Sequence, residues 1–294
     1  MTTGAHLPSS RPGARRRGWP GWLCRVALVA GLTYLAVCAA VFVFQGRLLY
    51  FPTERYDRTP PDLHLPYESV TLTAADGVGI SAWYLPCEGA RGTILFCHGN
   101  AGNMADRLPT AWTLRELGYH VLLFDYRGYG SSGGHPGERG SYLDAQAAWR
   151  YLVERRGVSP HRVVVFGRSL GGAVAVDLAS RHRPGALVVE ASFTRLADVG
   201  AVHYPLLPVR LLCRLRYDSA RKVPGITCPK LFIHARDDEL VPFQIGRRLF
   251  EAAPPPKRFL ATPGGHNTGG FLYSPVHVEK LASFLGDALG ETAP

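Results

Sequence analysis

Val163-Val164-Val165-Phe166-Gly167-Arg168-Ser169-Leu170-Gly171-Gly172-Ala173-Val174-Ala175 decides how this chain is read. Four β-prone residues run into a Gly-x-Ser-x-Gly turn, and helix formers follow at once. A serine in that setting stands on a sharp strand-to-helix turn, with its hydroxyl raised above the sheet edge. The flanking glycines leave room for strand and helix to pack closely around it. The turn also aims the N–H of Leu170 and the helix N-terminus at one point, where an oxyanion can be held. The plain alternative is a glycine-rich turn with a passing serine. The strand before it and the helix after it favour the catalytic reading.

A nucleophilic serine needs a base, and the base needs an orienting acid. Lys230-Leu231-Phe232-Ile233-His234-Ala235 reads as a later strand, and Arg236-Asp237-Asp238-Glu239-Leu240-Val241-Pro242 as the loop after it. Arg258-Phe259-Leu260-Ala261 reads as one more strand, followed by Pro263-Gly264-Gly265-His266-Asn267. An acid and a histidine thus lie at strand C-terminal ends, where open α/β sheets place their sites.

With these stretches stand His98-Gly99-Asn100-Ala101-Gly102-Asn103 and Asp125-Tyr126-Arg127-Gly128-Tyr129-Gly130. Together they make residues 68–288 resemble a membrane-anchored α/β-hydrolase with serine-hydrolase motifs, of the serine aminopeptidase-like and acyl-thioesterase-like branch. The resemblance implies a mostly parallel central sheet of about eight strands flanked by helices. It implies a triad in the order Ser169, Asp238, His266. Asp238 is preferred to its local rivals Asp237 and Glu239 because it fits the family's Asp-x-x-Val-Pro spacing. The second oxyanion donor is then the backbone N–H of Asn100, beside that of Leu170. His98 precedes the serine whereas the family's base comes last, so His98 is read as structural. The motifs are specific for fold and triad and weak on substrate.

The formal net charge is +10, and half of that excess lies in the first 25 residues, with Arg11, Arg15, Arg16, Arg17 and Arg25 and no acid. This is a topology signal and no argument for nucleic acid. Val26 to Phe44 carries no charge. Nineteen helical residues span roughly 28 Å, close to the ~30 Å hydrocarbon core of a bilayer. Trp19, Trp22, Tyr50 and Phe51 flank the run as interfacial anchors. An uncleaved signal anchor is favoured over a cleaved signal peptide, because the apolar run continues past the small residues near Cys38. The basic end then stays cytoplasmic, and the catalytic domain faces periplasm, cell exterior or lumen. The chain divides into a basic segment at 1–25, a transmembrane helix at 26–44, a connector at 45–67 and the hydrolase domain at 68–290. The proline-punctuated connector is expected to pack along the domain and carries no recognisable chemistry.

Ala75-Asp76-Gly77 between two alternating runs predicts a hairpin. Thr93–Cys97, His120–Asp125 and Ala186–Glu190 read as further strands. Ser141–Arg155, Phe243–Glu251 and Pro275–Leu289 read as helices. Gly128-Tyr129-Gly130-Ser131-Ser132-Gly133 matches a dinucleotide pattern. It does not open directly from a strand, and Gly134-His135-Pro136-Gly137 follows it, so the nucleotide reading is set aside. Asp125 and Arg127 are expected to brace the loops beneath the site. Ala201–Leu215 is either the wall of an acyl pocket or a core-packing helix with a proline break; periodicity does not separate the two. Cys97 is expected to be a packed thiol, and a Cys213–Cys228 disulfide is open outside the cytoplasm. No zinc spacing is present, so neither metal nor cofactor is expected.

The expected reaction is hydrolysis of a carboxylic ester or thioester with a fatty acyl or lipid part, through an acyl-enzyme. A serine peptidase on small peptides is the rival chemistry. A non-catalytic membrane-tethered binding protein is the rival class, and the intact Ser169, Asp238, His266 set counts against it.

Overall fold

The continuous apolar runs form strands buried on both faces, as a helix-covered parallel sheet requires. The computed structural model describes residues 21–290. Eight strands make the main sheet: β1 (Glu68–Thr73), β2 (Gly79–Leu85), β3 (Thr93–Cys97), β4 (His120–Phe124), β5 (Val163–Arg168), β6 (Ala186–Glu190), β7 (Lys230–Ala235) and β8 (Lys257–Thr262). Their spatial order is β8-β7-β6-β5-β3-β4-β2-β1. β2 runs antiparallel to both its neighbours and every other pairing is parallel. This is the α/β-hydrolase fold, as expected.

Two contact clusters divide the chain, Met1–Ala40 and Val41–Pro294. In the first, the described residues belong to α1 (Gly21–Leu49), which runs on into the second. The helix is longer at both ends than the uncharged run. It is long and apolar enough to cross a membrane, with a mean hydropathy of 2.5 over its most apolar window. Arg11, Arg15, Arg16, Arg17 and Trp19 lie outside the described residues.

In the second unit helices cover both sheet faces: α2 (Leu108–Glu116), α3 (Glu138–Arg150), α4 (Leu170–Arg181), α5 (Leu196–His203), α6 (Val209–Leu212), α7 (Ser219–Lys222), α8 (Phe243–Ala252) and α9 (Pro275–Ala288). Ten of the twelve residues of α4 are buried, so it lies between the sheet and α3. Its small side chains allow this. Burying Val174, Val176 and Leu178 stabilises the fold by about 1.5–3 kcal/mol each. The buried Asp177 is satisfied by Lys222 Nζ at 2.7 Å and Arg181 Nε at 2.9 Å.

Two expectations need correction. α3 starts at Glu138, three residues early, because Gly137 in extended conformation caps it directly after Pro136. All six cysteines are free thiols, and Cys213 Sγ lies 2.9 Å from the Leu215 carbonyl, so there is no Cys213–Cys228 bond. Neither α5 nor α6 has a fully buried residue, while Leu196, Val199 and Leu215 pack half-buried against the core. The connector packs along the domain, as expected. Its Phe51–Pro52 pairs in parallel with Ala101–Gly102, inside the loop after β3.

Candidate active site

The elbow forms because three chain segments meet more closely than side chains permit. A Cβ on Gly167 would fall 2.2 Å from the Gly171 carbonyl oxygen, and one on Gly171 would fall 2.1 Å from that of Cys97. Ser169 between them holds φ +55° and ψ −122°, a region L-residues rarely occupy. The strained turn sets Ser169 at the C-terminal end of β5, immediately before α4.

Ser169 Oγ lies 3.0 Å from His266 Nε2. On the other side of the ring, His266 Nδ1 is 2.8 Å from Asp238 Oδ2 and 3.0 Å from Oδ1. A carboxylate only accepts, so Nδ1 carries the proton and Nε2 is left to accept from the serine hydroxyl. The Asp238 side chain is fully buried. Its Oδ1 also accepts the backbone N–H of Leu240 at 3.0 Å and of Val241 at 2.7 Å. Those bonds satisfy the buried charge and fix the carboxylate against the loop. Asp237 is exposed.

Leu170 is the first residue of α4, so its N–H has no acceptor within the helix. The loop after β3 passes over the serine: a Cβ on Gly99 would sit 3.6 Å from Ser169 Cβ. Asn100, next in that loop, is held on three sides. Its side-chain amide donates to the Leu49 carbonyl at 2.8 Å, and its own carbonyl accepts from Phe51 N at 2.9 Å and Tyr129 Oη at 2.7 Å. His98 is buried against Tyr126 and Tyr129, with Nδ1 2.7 Å from the Gly99 carbonyl and Nε2 3.4 Å from Asp125 Oδ1. It braces the loop and is turned away from the base position. Asp125 accepts Met104 N at 2.7 Å and Tyr56 Oη at 2.8 Å, while Arg127 bridges Asp76 and Asp144, each at 2.7 Å. Those two carboxylates, Asp76 first, hold the Arg127 guanidinium charged well above its ordinary range.

Sequence reasoning passed over a second set of groups that holds the histidine loop. Arg168 Nη2 donates to the His266 carbonyl at 2.7 Å, and Arg168 Nε lies 3.6 Å from Glu190 Oε2. Glu190 Oε1 accepts the N–H of Phe271 at 3.1 Å, and burial raises the pKa of this carboxyl. Glu239 accepts the N–H of His266 at 2.9 Å, and that bond lowers its pKa. His234 lies under the acid: its Nε2 donates to the Val241 carbonyl at 2.8 Å, 3.4 Å from Asp238 Oδ2. Arg168 is the x of Gly-x-Ser, and Glu239 adjoins the acid; proximity in sequence was the available signal. Among the described residues no group of acidic, histidine or cysteine side chains is arranged to hold a metal.

Comparison with known proteins now bears on this geometry. A family model described as serine aminopeptidase, S33, matches residues 88–215. The uncharacterized protein Rv2307c of Mycobacterium tuberculosis is 40% identical over 269 residues, covering 89% of this chain and 95% of that protein. The α/β hydrolase domain-containing protein WAV2 of Arabidopsis thaliana is 33% identical over 283 residues, covering 85% of this chain and 91% of that protein.

The chain belongs to the α/β-hydrolase family.

Among solved structures, the esterase Pf2001 of Pyrococcus furiosus matches this hydrolase with a TM-score of 0.66 and 25% identity, over 82% of this chain and 98% of that one. A puromycin-hydrolyzing peptidase of Mycobacterium tuberculosis shares the fold, with a TM-score of 0.63 at 20% identity, over 78% of this chain and 40% of that one. This hydrolase is an enzyme of the serine-hydrolase superfamily.

Proposed function

We propose that this hydrolase cleaves a carboxylic ester or thioester with a fatty acyl or lipid part, at a membrane that α1 anchors it to. The observation that carries the chemistry is the unbroken chain Ser169 Oγ, His266 Nε2 and Nδ1, Asp238, with contacts of 3.0 and 2.8 Å, on an elbow. Ser169 attacks the carbonyl carbon as His266 takes its proton, and Asp238 stabilises the imidazolium. The N–H groups of Leu170 and Asn100 hold the tetrahedral oxyanion. The intermediate collapses as His266 protonates the departing alcohol or thiol. Water, deprotonated by the same ring, then attacks the acyl-enzyme and releases the acid and the serine. None of these steps requires a cofactor.

The lipid part of the reading rests on the anchor, which concentrates the domain near membrane-resident acyl groups. The uncharged run 26–44 is the span. The basic N-terminal end stays cytoplasmic, and the catalytic domain lies on the other side. The rival reading, a peptidase, draws on the description of the family model. The test is kcat/KM for p-nitrophenyl esters from acetate to palmitate, below their micelle concentrations, beside aminoacyl amides. Each buried CH₂ adds about 0.8 kcal/mol, so kcat/KM should rise with chain length until the pocket is full. A steady fall beyond acetate with faster amide cleavage would install the peptidase instead.

A further inference from the structure

The segment between β6 and β7 carries the domain's most exposed leucines. Leu206 and Leu211 are 86% and 85% exposed, with Tyr204 and Val202 also exposed beside them. The next residues are bonded to the end of α1. Gln45 Oε1 accepts the N–H of Arg214 at 2.8 Å and of Leu215 at 3.0 Å, and Gln45 Nε2 donates to the Leu212 carbonyl at 3.3 Å. Arg214 Nη2 reaches the Val43 carbonyl at 3.3 Å, and its guanidinium lies 4.7 Å from the centre of the Phe42 ring.

We infer that residues 202–216 form a lipid-facing surface, seated in the same bilayer interface from which α1 emerges. Phe42–Gln45 closes the uncharged run, so in a spanning helix it stands at the bilayer boundary. A segment hydrogen-bonded to Val43 and Gln45 shares that depth. Its composition suits the place. Leu206, Leu211 and Val202 are apolar and exposed, Tyr204 has an apolar body and a polar tip, and Arg210, Arg214 and Arg216 are exposed among them. Within 202–216 stand Arg210, Arg214 and Arg216 and no acidic residue, which matches anionic headgroups. A second protein would also cover leucines, but the direct bonds to the emerging helix select the bilayer. The consequence is orientation: the segment that precedes the acid loop faces the lipid from which an acyl substrate would come.

The inference rests on the anchor reading, and the test separates the two. The full chain is reconstituted in vesicles of phosphatidylcholine with a minor share of phosphatidylglycerol. Photoreactive benzoylphenylalanine replaces Val37, Leu206, Leu211 or His161 in turn. His161 is exposed and precedes β5, at the opposite end of that strand from Ser169. Lipid adducts at 206 and 211 should exceed those at 161 by about tenfold and approach those at 37. Adducts at 37 with background at 206 and 211, or protein–protein adducts there, would overturn the inference and leave the anchor standing. Background at all four positions would overturn both.

Discussion

The side-chain amide of Asn100 donates to the backbone carbonyl of Leu49, the last residue of α1, at 2.8 Å. The loop that supplies one proposed oxyanion donor is therefore fastened to the point where the apolar helix ends. Asn100→Ala removes that bond and keeps the backbone N–H. We expect kcat to fall about tenfold with KM little changed, less than the 10²–10³ lost with a donor itself. Steady-state kinetics on a soluble ester checks it; a rise in KM at constant kcat would assign Asn100 to substrate binding instead.

The strain at Ser169 makes a second prediction. Ala cannot relieve φ +55° but Gly can, and such strain costs on the order of 1–3 kcal/mol. Ser169→Ala and Ser169→Gly should both abolish turnover. Ser169→Gly should be the more stable by about 1 kcal/mol, after its larger unfolded-state entropy is allowed for. Equal denaturation midpoints would mean that the backbone relaxes around the serine.

Asp238→Asn should lower turnover by roughly 10⁴-fold, as loss of the triad acid does in the best-studied protease. Asp237→Asn, at an exposed position one residue away, should be mild. The reverse ranking would move the acid to Asp237.

Much of this site is legible in the sequence, for a physical reason. The elbow needs glycine at 167 and 171 because backbone fills the space where a side chain would go, and that demand leaves a five-residue signature. Ser169, Asp238 and His266 each follow a strand with a clear pattern, and His266 lies within hydrogen-bond reach of both Ser169 and Asp238. The supporting groups leave no such trace. Glu190 ends an apolar strand and meets Arg168 through the β5–β6 pairing, a relation fixed by register rather than by any local motif. The pairing of Phe51 with Ala101 joins positions fifty residues apart, so the sequence predicts a connector packed along the domain without naming its partner. Ala201–Leu215 stays open in the sequence because its leucines divide: Leu206 and Leu211 stand exposed, while Leu207, Leu212 and Leu215 are half-buried, and no periodicity separates the two sets.

Acid should destabilise the domain before the carboxylates titrate. Burial lowers His234, His120 and His182 below their ordinary 6.5. Below that value the unfolded chain binds protons that these rings refuse in the fold, so stability falls as pH drops through about 6.5. Above about pH 7.5 these groups contribute no slope. Denaturation midpoints between pH 5.5 and 7.5 test this, and His234→Gln should flatten the slope even where it lowers the midpoint. A midpoint that rises on acidification would contradict it.

The account stands most directly on Ser169 as the nucleophile. The full chain is treated with a fluorophosphonate, which phosphonylates an activated serine, and the adduct is located by peptide mass spectrometry. The prediction is one adduct at Ser169, absent in Ser169→Ala and formed far more slowly in His266→Ala. No adduct, an adduct at another serine, or undiminished labelling of His266→Ala would contradict it.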